Sequence, residues 1–184
     1  MEHAALPEVI STDRFELVWL DQRALERFGA PDGDAVLRRR GWSNPHRHLL
    51  DEEAWIPAHF AARLDEDPRN ATWTARVIVE RASGEIVGHI GAHRAPDERR
   101  TVEMGYTVAP ERRREHIASE SLTAMIRSLE ASRSVATVTL GILPTNVASI
   151  ELARSAGFTF AGEELGDDGQ RELRFERQLA SVVS

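Results

Sequence analysis

The sequence predicts an α/β fold, a single domain built on one central, mixed, mostly antiparallel sheet with helices on both faces. Three observations carry this reading. Apolar spacing alternates between a two-residue and a 3.6-residue period along the 184 residues. Two pairs of alternating stretches, each joined by a turn, read as antiparallel hairpins. Between them runs a strand, a helix, a strand and a short helix, which makes the sheet mixed.

Taken in order, "RFELVWL" (Arg14 to Leu20) alternates as a first strand. Asp21 is placed to cap the helix "QRALERFG", where Leu25 and Phe28 share a face and Gly29 marks the end. "APDGD" and "GWSNPHRH" are rich in turn formers, with "AVLRRR" a short helix between them. A second helix is predicted from Asp51 to about Leu64, with Trp55, Ile56, Phe60 and Leu64 on one side, and "DEDPRN" stops it. On that spacing Trp55 belongs to the core. "TWTARVIVE" and "EIVGHIGAH", joined by "RASGE", form the first hairpin; "RAPDERR" connects it to the strand "TVEMGYTV". A helix then runs from about Ile117 to Ser132, with Leu122, Met125, Ile126 and Leu129 in register. "VATVTLGIL" is a buried strand, and Thr145 or Asn146 caps a short helix that ends at "SAGF", where Gly157 fits the position after the helix. "FTFAGEE" and "RELRFERQL" pair as the terminal hairpin.

Composition narrows the chemistry. The chain has no cysteine, which excludes disulfides, thiolate metal sites and cysteine nucleophiles. All 23 of its Lys and Arg residues are arginines, so neither a lysine Schiff base nor a phosphate-loop lysine is available. A net charge of −7 argues against nucleic acid as a partner and mildly favours a cationic substrate such as an amine. No window approaches the ~18 consecutive apolar residues of a membrane span. "MEHAALPEVI" lacks the basic and apolar regions of a secretory leader, so the cytoplasm is the expected compartment and no membrane partner is expected.

The most informative stretch is "MGYTVAPERRREHIASESL", Met104 to Leu122. A strand ends at a proline corner and runs through a basic loop into a helix, and a helix N-terminus receives phosphate well. Such loops are usually rich in glycine, and "RRREHI" has none.

Three segments, in order and at matching spacing, resemble the GNAT N-acetyltransferase superfamily, and within it the branch of ribosomal-protein N-terminal acetyltransferases. They are "GEIVGHIGAH", "VEMGYTVAPERRREHIASESL" and "LPTNVASIELARSAGFTFAGE", within a likeness that covers about Trp73 to Leu179. The resemblance implies a GNAT-like domain over residues 1–184. Residues 1–70 would be its variable acceptor-side part and 71–180 its acetyl-CoA-binding core, with a splayed cofactor-binding strand pair. It implies acetyl-CoA as co-substrate and no metal. Tyr106, Thr107 and Val108 would run along pantetheine as an added strand would. Arg113, Arg114, Glu115, His116, Ile117, Ala118 and Ser119 would surround the pyrophosphate, with Asn146 and Ser149 completing the cofactor contacts. In the family pattern Arg-x-x-Gly-x-Gly/Ala, His116 replaces the middle glycine. Either the histidine keeps the loop's conformation, or the loop is degraded and cofactor affinity is lost.

Acetyl transfer to an amine needs a neutral amine, a polarised thioester carbonyl and a proton for the leaving thiolate. Glu103, on the cofactor strand, is the candidate base through a water; its other reading is a strand-edge carboxylate paired with an arginine. The N–H near Val108 is the oxyanion donor by resemblance. The tyrosine acid of many relatives falls on Ala153 here, so Ser149 is the candidate acid, while Asn146 both caps its helix and contacts cofactor. His89 and His93 lie on one face of their strand, and His93 with Trp42 are the candidate acceptor-site residues. His46, His48 and His59 have a spacing that zinc tolerates but read as a polar surface loop. The expected function is direct transfer of an acetyl group from acetyl-CoA to a primary amine, on a protein N-terminus or a small molecule. The alternative is a non-catalytic acyl-CoA-binding module of the same fold. Homodimerisation is a tendency that the resemblance carries.

Overall fold

In a computed structural model, residues 5–28, 37–50, 54–166 and 169–179 are described. Eight strands form one open sheet: β1 (Val9–Ser11), β2 (Phe15–Trp19), β3 (Arg76–Glu80), β4 (Ile86–Ala92), β5 (Thr101–Val108), β6 (Thr137–Ile142), β7 (Thr159–Leu165) and β8 (Arg171–Gln178). Their spatial order is β1-β2-β3-β4-β5-β6-β8-β7. Only β5 and β6 pair in parallel; the other neighbours are antiparallel. The predicted hairpins are β3–β4 and β7–β8. Strand β1 was not predicted: three residues are too few to show a period.

Among the described residues, four longer helices flank the sheet: α1 (Gln22–Phe28), α2 (Trp55–Glu66), α3 (Ile117–Ser132) and α4 (Val147–Ser155). The Ala24 N–H donates to the Asp21 carboxylate at 2.7 Å, so Asp21 caps α1 as expected. Gly29 and Asp51, expected to end α1 and open α2, lie outside the described residues. Alternation along β3 separates two cores. Ile78 joins one with α3 and α4, while Val77 and Val79 join another with α1 and α2. On α3, Ile117, Leu122, Met125, Ile126 and Leu129 are buried, each worth about 1.5–3 kcal/mol on transfer from water. One core assignment is corrected: Trp55 is 62% exposed and edge-on to His59, because α2 begins there and Ile56, Phe60 and Leu64 form its inner face.

Candidate functional site

Strand β5 pairs with β4 along Met104 to Val108, but with β6 only from Thr101 to Glu103. Beyond Glu103 the two strands part. The His93 N–H donates to the Glu103 carbonyl at 2.8 Å, and the Ala109 N–H to the Val87 carbonyl at 2.9 Å. Antiparallel pairing alternates, so Glu103, Gly105 and Thr107 turn their backbone groups to β4. Met104, Tyr106 and Val108 turn theirs towards the gap. Of the three residues expected along pantetheine, Tyr106 and Val108 thus present main-chain groups, and Thr107 presents its side chain.

The gap opens into a cleft of about 1040 Å³, bounded by the end of β5, the start of α3 and the start of α4. All the predicted cofactor residues line it except Glu115. The chain turns at Pro110–Arg112, is extended at Arg113, and takes left-handed conformations at Arg114 (φ 67°) and His116 (φ 62°). His116 therefore adopts the backbone that glycine favours. Such a residue stores on the order of 1–3 kcal/mol and persists where its surroundings over-determine it. The first intrahelical bond of α3 runs from the Glu120 N–H to the His116 carbonyl at 3.0 Å. The N–H groups of Ile117, Ala118 and Ser119 precede it and have no carbonyl within their own helix.

Glu115 turns away from the cleft. Its carboxylate accepts from Arg112 Nε at 3.1 and 3.0 Å, and its carbonyl accepts from Arg14 Nη2 at 3.0 Å. Arg112 also pairs with Glu80 at 2.8 Å and Glu85 at 3.3 Å. These hydrogen bonds, Glu115 first and Glu80 next, raise the Arg112 pKa, and Arg112 holds Glu115 below the usual carboxylate range. Sequence reading gave neither Arg14 nor Arg112 a role, since their partners lie up to 106 residues away.

At the far wall, the Asn146 side chain accepts from the Ser149 N–H at 3.2 Å, which is the capping half of its expected role. Beside Ser149 sits the Tyr106 phenol, whose oxygen is buried and has no hydrogen-bond partner. Burial raises its pKa, and the Ser149 hydroxyl offsets this in part. Ser149 is a neighbour of the phenol rather than a bonded partner, because no contact between them meets hydrogen-bond geometry. Ala153, where relatives of this shape were expected to carry a tyrosine, is buried in the core.

Across the sheet from this wall, His93 Nδ1 stands 3.6 Å from Glu103 Oε1, both side chains 42% exposed. Two glycines clear the space around them. A Cβ on Gly105 would approach His93 Nε2 to 2.9 Å, and one on Gly141 would collide with the Glu172 carboxylate and reach Glu103 Oε1 at 3.4 Å. Glu172 is a second carboxylate here that sequence reading did not select. Alternation along β8 was the available signal, since Phe175 is buried on the opposite face. His89 instead turns into a buried pair: His48 Nε2 lies 3.1 Å from His89 Nδ1. His48 is therefore not part of a polar surface loop: the Ile86 N–H donates to the Ser43 carbonyl, Leu49 joins the second core, and His48 between them is buried. Trp42 is half-buried against the second core, with the Arg40 guanidinium 5.1 Å from its ring centre.

The family model described as acetyltransferase (GNAT) domain matches residues 14–159. The chain is 28% identical over 155 residues to the uncharacterized N-acetyltransferase YoaA of Bacillus subtilis (strain 168), covering 84% of each. Among solved structures it resembles RimL, a ribosomal-protein acetyltransferase, in complex with coenzyme A (17% identity, 94% and 98% of the two chains, TM-score 0.66). It also resembles the microcin self-immunity acetyltransferase MccE in complex with acetyl-CoA and AMP (14% identity, 96% and 99%, TM-score 0.66). A third likeness is to a ribosomal-protein alanine acetyltransferase from Vibrio fischeri (11% identity, 92% and 96%, TM-score 0.65). At these identities the structural likenesses establish the fold.

Proposed function

From the premise that the chain belongs to the GNAT acetyltransferase family and is an N-acetyltransferase, we propose that it moves the acetyl group of acetyl-CoA directly onto a primary amine. The acceptor is a protein N-terminus or a small-molecule amine, and the reaction belongs to the cytoplasm. The observation that carries the proposal is the parting of β5 and β6 beside a loop that ends in the free N–H groups of α3.

In this reading the pyrophosphate sits against the N–H groups of Ile117, Ala118 and Ser119, with Arg113 and Arg114 supplying charge from the same cleft. Pantetheine, a chain of amides, pairs with the backbone of Tyr106 and Val108. The Val108 N–H, aimed into the gap, polarises the thioester carbonyl. Glu103 accepts the amine proton through a water, while His93 orients that carboxylate or serves as a second base. Ser149 delivers a proton to the thiolate as the carbon–sulfur bond breaks, and Tyr106 is placed to support it. Trp42 lies on the acceptor-side part of the chain.

Calorimetric titration with acetyl-CoA tests the binding half. The absence of heat at millimolar cofactor would end the proposal. Release of free thiol over a panel of amines tests the transfer, and binding without turnover on any acceptor would favour a non-catalytic module instead.

A further inference from the structure

We propose that Arg14 and Arg112, acting through Glu115, form a clamp that holds the left-handed turn at His116 where the loop has no glycine. The clamp is a statement about loop conformation. Its effect on acetyl-CoA rests on the reading of that loop given above.

Glu115 lies between the two left-handed residues, Arg114 and His116. Its carboxylate is gripped by Arg112, which is only 16% exposed and is anchored in turn by Glu80 at the end of β3 and Glu85 before β4. Its carbonyl is gripped by Arg14. That carbonyl belongs to the peptide plane joining Glu115 to His116, so its direction is coupled to φ of His116. Rotating His116 to the ordinary right-handed or extended region would swing the carbonyl away from Arg14. Arg14 cannot follow freely, because its Nε and its backbone N–H donate to the Glu120 carboxylate on the first turn of α3, at 2.8 and 3.2 Å. The turn is thus tied to β3, β4, the β1–β2 turn and α3 together. Glycine meets the same need with its own freedom, whereas an L-residue needs outside contacts to over-determine the conformation. Arg14 and Arg112 are positioning residues: both act on the loop through Glu115.

The test is a cycle of four proteins: wild type, Arg14→Ala, His116→Gly and the double variant. Two properties are read, amide exchange at residues 115–118 without ligand and the acetyl-CoA dissociation constant by calorimetry. With histidine at 116, Arg14→Ala accelerates exchange and weakens acetyl-CoA about fivefold; with glycine at 116 both effects shrink to less than about twofold, a coupling of the size seen between contacting residues. Glu115→Ala, which removes the Arg112 grip but keeps the carbonyl, gives the same pattern. A residue that merely stabilises the fold would show equal effects in both backgrounds. Equal effects, or unchanged exchange in Arg14→Ala, overturn the clamp. Coupled exchange in proteins that bind no acetyl-CoA upholds the clamp and removes the cofactor reading. Additive exchange with intact binding does the reverse.

Discussion

His93 and Glu103 are joined twice across β4 and β5: main chain to main chain at 2.8 Å, and Nδ1 to Oε1 at 3.6 Å. The backbone bond fixes the strands, and the side-chain contact holds the carboxylate at the residue where β5 and β6 part. The carboxylate proposed as the base thus has an imidazole beside it.

Glu103→Gln keeps the shape and removes the carboxylate proposed as the base. Turnover with a productive amine is expected to fall about 100-fold, within the range of general-base catalysis, while KM for acetyl-CoA changes little. Steady-state kinetics decide it; unchanged turnover would remove Glu103 from the mechanism.

Gly141→Ala places a methyl group against the Glu172 carboxylate and 3.4 Å from Glu103 Oε1. The expected result is a rise in acceptor KM of about tenfold at nearly unchanged acetyl-CoA affinity, the factor that about 1.4 kcal/mol of lost contact gives. Loss of acetyl-CoA binding instead would show that the glycine serves the sheet rather than the acceptor.

Acid stability follows from the Arg112 cluster. Arg112 holds Glu115 below the ordinary value, and Ser83 with Arg112 does the same for Glu80. A depressed folded pKa gives stability that is complete above the ordinary value of 4.5 and lost as the pH falls through the lower folded value. Thermal unfolding of Arg112→Met is therefore expected to lose less on acidification below about pH 4.5 than that of wild type. Parallel curves for the two proteins would contradict this.

Arg76 is fully buried and donates only to carbonyls: Glu8 at 3.1 Å, Leu17 at 3.4 Å and Thr72. Burial pulls its pKa down to about 10. Arg76→Met removes these donations; the Glu8 carbonyl keeps the Trp19 N–H, but the Thr72 carbonyl loses its Arg76 donor, at a cost of about 1–3 kcal/mol. Denaturant unfolding checks the value, and a variant as stable as wild type would refute it.

Much of this was legible in the residues. The spacing of Leu122, Met125, Ile126 and Leu129 predicted α3 over the span observed, and the expected cap at Thr145 or Asn146 is made by Asn146. Local period and capping chemistry are written in neighbouring positions, and the strand–loop–helix run at Met104 to Leu122 is such a local signal. What escaped depends on contacts distant in sequence. The Arg14 grip on Glu115, the approach of Glu172 to Gly141 and the inward turn of His48 onto His89 each join separate segments. Trp55 was misplaced for a related reason: helical spacing assigns a face, but the first residue of a helix has no preceding turn to cover it.

The parting of β5 and β6 gives this sheet an edge in its own middle. Main-chain groups of Tyr106 and Val108 face that opening much as the outermost strand of any sheet faces solvent. An exposed edge accepts strands from other chains, so the empty protein carries an internal template for aggregation that a seated ligand would cover. Light scattering during prolonged incubation should rise more slowly with acetyl-CoA than without it. Equal rates would place the vulnerable edge elsewhere, at β1 or β7.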